Sequence, residues 1–184
     1  FVGEEQLGRT VSLGTVQVPL EFVVGTKSLG RTQSFSRSFM PLMGPNTEFA
    51  GKWQRLCQAH LEEGIWEPIK AWEYRNRFYV EEGHKRVSVL KFFVANTVSA
   101  QVTRILPIRD GSREIELYYE FVDFYQYSRI NFLEFSKPGG YAALQKALGK
   151  APGQAWNEED RRDFSTAFYH FHQAYEAQGG GRLT

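Results

Sequence analysis

The sequence predicts an α+β fold, in which a small mixed sheet with flanking helices is followed by a helical region. Three observations carry this. Between residues 16 and 107, strand and helix patterns follow one another as strand, helix, hairpin, helix and strand. After residue 108, apolar residues recur mainly at helical spacing. The short segment Arg109–Ser112 connects the region of mixed strand and helix patterns to the mainly helical region. We therefore expect an N-terminal arm at 1–15, an α+β domain at 16–108, and a helical extension at 109–184 packed on it.

The first half of the domain combines a strand, a long loop and a helix. The arm is predicted to be a loosely ordered segment or an edge strand. Val16–Leu20 is predicted to be a short strand with a proline near its end. The polar loop Gly25–Pro45 follows, and loops of that length usually serve a function or are mobile. Asn46 or Thr47 then caps a helix that ends at Gly64.

The second half of the domain begins with a hairpin. Arg75-Asn76 separates two aromatic-rich segments, 68–72 and 77–80, and Asn tolerates the left-handed conformation of a tight turn. From Gly83 the spacing becomes helical, with Val87, Leu90 and Val94 on one face. Residues 98–106 then alternate as a strand.

The extension is predicted to contain three helices and one short strand. The helices lie near 115–125, 138–148 and 157–178, and the strand near 130–135. Asn157 caps the last helix, and acidic residues follow in its first turn. Its aromatic stripe is interpreted as core packing, with docking of a partner as the alternative; the stripe comprises Phe164, Ala167, Phe168, Phe171 and Tyr175.

Composition limits the classes of function. Of 184 residues, 42% are hydrophobic, 15% aromatic and 23% charged, which is typical of a globular chain. A net charge of +1 provides no long-range attraction for DNA or anionic membranes. No apolar run approaches the roughly 20 residues that span a bilayer, so no membrane partner is expected. The single cysteine, Cys57, excludes an intramolecular disulfide and fits a reducing, cytoplasmic compartment. We predict no metal site.

The residues with the most specific chemistry lie between Tyr79 and Arg86. A strand leads to Gly83, and a helix with Lys85 and Arg86 in its first turn begins at once. The free N–H groups of a helix start and its positive dipole end favour a phosphate, to which basic side chains add charge-assisted hydrogen bonds. The alternative is that Gly83 only makes a turn, His84 caps it, and the two basic residues are solvated.

The pentapeptide Glu82-Gly83-His84-Lys85-Arg86 resembles a motif of the ParB/sulfiredoxin-like superfamily, in which a strand runs into Gly-x-x-Arg at a helix start. It is most similar to the Asp-Gly-His-His-Arg of related serine kinases. The segment 64–69 resembles the glycine and Pro-Ile strand that precede the motif, while Arg31 and Phe35 match an arginine and a phenylalanine of the earlier loop. The resemblance covers about half of the chain. It implies that Gly83, His84, Lys85, Arg86 and Arg31 bind a phosphorylated ligand, with a nucleoside triphosphate as the candidate.

The departures from the superfamily narrow the functions that the resemblance implies. His84 stands where sulfiredoxins carry their cysteine, so that activity is excluded. No helix-turn-helix pattern follows Pro107, which disfavours chromosome partitioning and makes DNA a less favoured partner.

A phosphotransferase or phosphohydrolase remains open. It would need a carboxylate for Mg²⁺ or as a base, and Glu82 is the candidate catalytic residue; otherwise Glu82 is a strand-end acid that pairs with Lys85 or Arg86. The sequence leaves open a regulatory nucleotide-binding module, an enzyme, and a non-catalytic protein-interaction module of a longer chain.

Overall fold

The computed structural model describes residues 8–27, 29–31 and 33–180, and within them the predicted α+β fold class is confirmed. The chain divides into two compact units between Ile108 and Arg109. The first unit contains a five-stranded sheet and two α-helices, and the second contains three α-helices, counted over the described residues.

The sheet of the first unit is mixed. Its strands, with the helices between them, are β1 (Thr10–Pro19), β2 (Val23–Thr26), α1 (Glu48–Glu62), β3 (Ile69–Tyr74), β4 (Arg77–Glu82), α2 (His84–Phe92) and β5 (Thr97–Ile105). The strand order is β1-β5-β3-β4-β2. The pairs β1/β5 and β3/β4 are antiparallel, whereas β3/β5 and β2/β4 are parallel. Strand β3, which leads into the hairpin, therefore lies in the middle of the sheet.

The predicted hairpin and the first helix cap are present. Arg75 and Asn76 have φ angles of 52° and 55°, the positive values that a two-residue hairpin turn needs at both positions. The Thr47 hydroxyl accepts a hydrogen bond from the Ala50 N–H at 3.2 Å and so caps α1. Alternate residues of the central strands are buried, and α2 contacts β3; the buried residues are Ile69, Ala71, Phe78, Val80, Val98, Ala100 and Val102.

Of the two structures predicted for the arm, the edge strand is the one observed at residues 10–15, where it continues into the predicted strand as β1, while residues 1–7 lie outside the described residues. Two other features of the first unit differ from the prediction. Strand β2 was not predicted; its last two residues, Gly25 and Thr26, occupy the start of the expected loop Gly25–Pro45, and it pairs with β4. Helix α2 ends at Phe92, which leaves Val94 outside it at φ 55° and 84% exposed.

A charged pair lies inside the sheet. Glu73 of β3 and Arg104 of β5 are neighbours in the parallel register, and both are almost fully buried. The Arg104 Nε donates to Glu73 Oε2, and the Asn76 N–H donates to Glu73 Oε1 at 2.5 Å. The buried carboxylate therefore connects the hairpin turn to the neighbouring strand.

The second unit contains α3 (Arg113–Ser128), α4 (Gly140–Ala147) and α5 (Glu158–Ala177). As predicted, the Asn157 side chain caps α5, and Asp160 completes a reciprocal capping box at 2.8 and 3.0 Å. The strand predicted near 130–135 is wrong, because the structure has no strand there. Phe135 of this segment instead contacts Tyr141, which belongs to an aromatic core formed with Phe121, Phe124 and Trp156.

The interpretation of the α5 stripe as core packing is only partly right. Phe164 and Phe168 contact Phe132, with ring centroids 6.2 and 5.1 Å apart. Phe171 and Tyr175, farther along the helix, are 56% and 38% exposed, and α5 has no buried residue. None of the described helices, including this one, is both long and apolar enough to cross a bilayer.

Candidate functional site

Gly83 joins β4 to α2 and has a conformation that few other residues adopt. Its φ is 96°, in the left-handed region, and it is the N-cap of α2. An added Cβ would lie 2.6 Å from Ile69 Cγ2, a side chain that is fully buried. Glycine therefore allows both the turn and the close approach to β3. Because glycine has no side chain, no side-chain cap bonds to the first-turn N–H groups of α2, and helix-start N–H groups lack partners within the helix itself.

His84 is a buried residue that holds this turn from within. Its Nε2 lies 2.7 Å from the Thr26 hydroxyl of β2, and its ring stacks on Phe35 with centroids 6.0 Å apart. Burial and the nearby positive charge of Arg31 lower the pKa of His84 to about 4, against an opposing hydrogen bond with Val80. His84 is therefore neutral at physiological pH and links β2, the loop and α2.

Lys85 points toward α1 and shares its surroundings with other cations. Its Nζ lies 4.6 Å from the ring centroid of Phe49, a cation–π contact. Burial, and then the charges of Lys52 and Arg31, lower the pKa of Lys85, with a smaller effect from Arg55. The field near the start of α2 is thus positive. We call these four residues, Arg31, Lys52, Arg55 and Lys85, the cationic cluster.

One carboxylate accompanies the cationic cluster. Glu48, in the first turn of α1, forms an ion pair with Lys52 at 2.5 Å. Its pKa is lowered by the hydrogen bond and charge of Lys52, and further by Lys85 and Arg55. Four cations around one acid leave an excess of positive charge beside the first turn of α2.

Arg86 is turned away from the cationic cluster. Its Nη1 donates to the carbonyls of Pro68 and Glu67 at 2.6 and 3.1 Å, and its Nη2 lies 3.2 Å from the Glu67 carboxylate. The side chain is only 16% exposed. These contacts fix the segment that leads into β3, so the geometry assigns Arg86 a structural contact and leaves its predicted phosphate contact without support.

Glu82, the candidate catalytic carboxylate, pairs across the sheet. Its Oε2 lies 2.8 Å from Lys70 Nζ, and Lys70 and Glu82 face each other in the β3/β4 register. The hydrogen bond and charge of Lys70, with a contribution from Arg86, lower the pKa of Glu82. A general base working near neutral pH needs a raised carboxyl pKa, so this position is typical of an exposed ion pair instead.

The loop before α1 brings its two predicted residues to the motif. Phe35 is 7% exposed and lies between His84 and Phe49, with its ring 5.3 Å from the latter. Arg31 is exposed at the end of a short 3-10 helix, Leu29–Arg31, and its charge acts on both His84 and Lys85. Arg31, His84 and Lys85 therefore come together, whereas Glu82 and Arg86 have other partners.

Sequence reasoning missed three contributors to this region, namely Thr26, Lys52 and Arg55. Thr26 lies in the unpredicted strand β2. Its contact with His84 depends on the pairing of β2 with β4, which no local sequence pattern predicts. Lys52 and Arg55 could have been recognised, since they lie three residues apart on one face of the predicted helix. In the described part of the chain, no group of three or more His, Cys, Asp or Glu side chains could hold a metal ion.

Comparison with known proteins finds no matching family model and no matching curated protein. Among solved structures, sulfiredoxin from Arabidopsis thaliana is 20% identical, over 48% of this chain and 82% of its own, with a TM-score of 0.35. A Pnob8-like ParB-N domain is 13% identical over 77% of this chain, with a TM-score of 0.34. This chain spans 46% of that one.

A third similar structure is the C-terminally truncated chromosome-partitioning protein ParB from Caulobacter crescentus, complexed with CTP-gamma-S. It is 12% identical over 77% of this chain and 72% of its own, with a TM-score of 0.35. At these values the likeness concerns the fold alone. One of the three structures is a sulfiredoxin, and the other two are ParB proteins.

Proposed function

We propose that the first unit is a ParB-like module that binds the phosphates of a nucleotide at the start of α2. The observation that carries the proposal is the cationic cluster beside a glycine-capped helix start, where the charges of Lys52, Arg31 and Arg55 add to burial in lowering the pKa of Lys85. Mutual repulsion among cations costs free energy unless an anion offsets it. A phosphate would accept hydrogen bonds from the first-turn N–H groups of α2 and neutralise the adjacent charges.

The residues divide into two roles in this proposal. Lys85 and Arg31 would contact the phosphates directly, and Lys52 and Arg55 would add charge from α1. Gly83, His84 and Arg86 would shape the site: the glycine permits the turn, the histidine holds it from within, and Arg86 fixes the segment before β3. Lys85 and Arg31 are consequently the informative positions for mutagenesis.

Binding, and not turnover, is what these residues support. Glu82 is ion-paired with Lys70, which lowers its pKa and so disfavours a role as a base. A nucleoside triphosphate fits the excess of positive charge better than a monophosphate does, because a longer phosphate chain can engage several cations at once. A regulatory nucleotide-binding module is therefore the form of the proposal that we favour.

A thermal-shift titration of the full chain with the four common nucleoside triphosphates, with and without Mg²⁺, tests the proposal. Ligand at 100 times its Kd adds about 2.7 kcal/mol to the free energy of unfolding of the state that binds it. We expect at least one triphosphate to raise the Tm, and its monophosphate to raise it less.

Two variants locate the effect. Lys85→Gln is expected to reduce the affinity for the triphosphate by about tenfold, a loss of free energy near the lower end for a hydrogen bond to a charged group. Lys137→Gln, an equal charge change at an exposed position of the second unit, is the matched control and should bind as the parent does. Equal affinity in the parent and both variants, or no stabilisation by any nucleotide, would refute the proposal.

A further inference from the structure

The second unit contains a half-open cavity of about 630 Å³ that is separate from the nucleotide site proposed above. One wall is a stripe of α3 residues at helical spacing, Glu120, Asp123 and Tyr127, and the opposite wall comes from α4 and the segment after it. Small-molecule sites usually have volumes of about 300–1,000 Å³, so this cavity can contain a metabolite.

The α4 wall of the cavity is held rigidly. Tyr141 is 5% exposed, and its hydroxyl donates to the Leu133 carbonyl at 3.0 Å. Gln145 is 3% exposed; its amide nitrogen donates to the Ala151 carbonyl at 2.9 Å, and its amide oxygen accepts from Trp156 Nε1 at 2.8 Å. These bonds order the segment after α4 and give the cavity an apolar, preformed surface.

Charges on the cavity walls are segregated by sign. The acids Glu120 and Asp123 lie on α3, and the bases Lys146 and Lys150 lie on α4 and the following segment. Among the described residues, no ion pair joins the two walls: Lys150 pairs with Asp160 at 2.7 Å, and the Glu120 carboxylate accepts from the Gly139 N–H at 2.8 Å. Asp123 and Lys146 are both exposed and make no ion pair with a described residue. Asp123 and Lys146 therefore offer opposite charges, without an ion pair to a described residue, on opposite walls, and Glu120 adds a second carboxylate beside Asp123.

We propose that this cavity binds a small zwitterion with an apolar body, of the amino-acid class. Its ammonium group would lie toward Asp123 and Glu120, its carboxylate toward Lys146, and its apolar part against Tyr127 and Tyr141. Burial and the nearby Asp123 raise the pKa of Tyr127, so its phenol stays protonated and available as a hydrogen-bond donor. A simple amine or a simple acid would satisfy only one wall and leave the other charge unpaired.

A matched set of ligands tests both charges. Isothermal titration of the full chain would compare phenylalanine with phenethylamine, which lacks the carboxylate, and with 3-phenylpropionate, which lacks the ammonium group. Leucine, isopentylamine and 4-methylpentanoate form a second set with a smaller apolar body. We expect an amino acid to bind at least tenfold more tightly than either of its analogues. An analogue that binds as tightly as its amino acid would refute the recognition of a zwitterion, and absence of binding by both amino acids would refute the site.

Two variants on different helices place the ligand. Asp123→Asn and Lys146→Gln should each reduce the affinity for the amino acid by about tenfold. Because both side chains are exposed, the Tm without ligand should stay unchanged. Glu159→Gln on α5, outside the cavity lining, is the control and should bind like the parent. Amino-acid binding that neither Asp123→Asn nor Lys146→Gln weakens would show that the ligand lies elsewhere. Because the nucleotide site lies in the other unit, this result and the nucleotide titration can fail independently.

Discussion

Lowering the pH should destabilise the first unit through a single residue, His84. Burial and the charge of Arg31 lower its folded-state pKa to about 4, whereas the ordinary value, which applies to the unfolded chain, is 6.5. Between these two values the unfolded chain binds more protons than the folded one. The contribution of a neutral His84 to the free energy of unfolding is therefore fully present above pH 6.5 and is lost as the pH falls toward 4.

The expected size of this loss follows from the two pKa values. At pH 5 the unfolded imidazole is almost fully protonated, while the folded one is about nine-tenths neutral. The difference in proton binding between pH 7.5 and pH 5 corresponds to about 2 kcal/mol. Because His84 is only 6% exposed, solvent screening reduces this loss of stability little.

Urea unfolding at pH 7.5 and pH 5, followed by tryptophan fluorescence, measures the loss. His84→Gln is the comparison, because glutamine can still bond to the Thr26 hydroxyl but does not titrate in this range. The parent should lose about 2 kcal/mol more than His84→Gln between the two pH values. The same pH dependence in both proteins would refute a buried neutral imidazole at position 84.

Three further outcomes test the packing around the site and the sheet. Gly83→Ala should lower the free energy of unfolding by about 2–5 kcal/mol, because alanine is strained at this left-handed φ and its Cβ would clash with Ile69. A calorimetric Tm within 2 °C of the parent would contradict this. Arg86→Ala should lower the free energy of unfolding, measured in urea, by about 1–2 kcal/mol, because the Glu67 and Pro68 carbonyls lose their donor. An unchanged urea midpoint would contradict this structural role of Arg86. Arg104→Met should lower the free energy of unfolding by about 3–5 kcal/mol, since Glu73 would remain buried without its cation. A loss under 1 kcal/mol in denaturant unfolding would show that the fold does not depend on this ion pair.

Local signals in the sequence were reliable where the structure depends on a few neighbouring residues. Thr47 and Asn157 cap their helices through bonds to residues three positions on, and Arg75-Asn76 forms the hairpin by its own backbone conformation. Strand β2 has only four residues, and the residues of β4 with which it pairs lie 54 or 55 positions later, so no local period could reveal the strand. Residue spacing therefore predicts the local backbone conformation well, and it predicts poorly which distant segment that backbone pairs with.

The α5 stripe illustrates a related limit. Helical spacing correctly predicted one aromatic face, but what covers that face depends on other parts of the chain. Phe132 lies against the first half only, which leaves Phe171 and Tyr175 largely in solvent. Periodicity thus predicted an amphipathic helix and could not predict how far its burial extends.

The two basic residues of the motif, Lys85 and Arg86, show that a residue's position in a motif does not determine its role. Lys85 and Arg86 are adjacent on α2, and adjacent residues of a helix point in directions about 100° apart. The Lys85 side chain therefore lies over Phe49 within the cationic cluster, and the Arg86 side chain donates to the carbonyls of Glu67 and Pro68. If both bound phosphate, Lys85→Gln and Arg86→Ala would each reduce nucleotide affinity and leave the Tm without ligand unchanged. The geometry instead separates them: Lys85→Gln should change affinity at constant Tm, and Arg86→Ala should lower the Tm first and affect affinity only through the displaced turn.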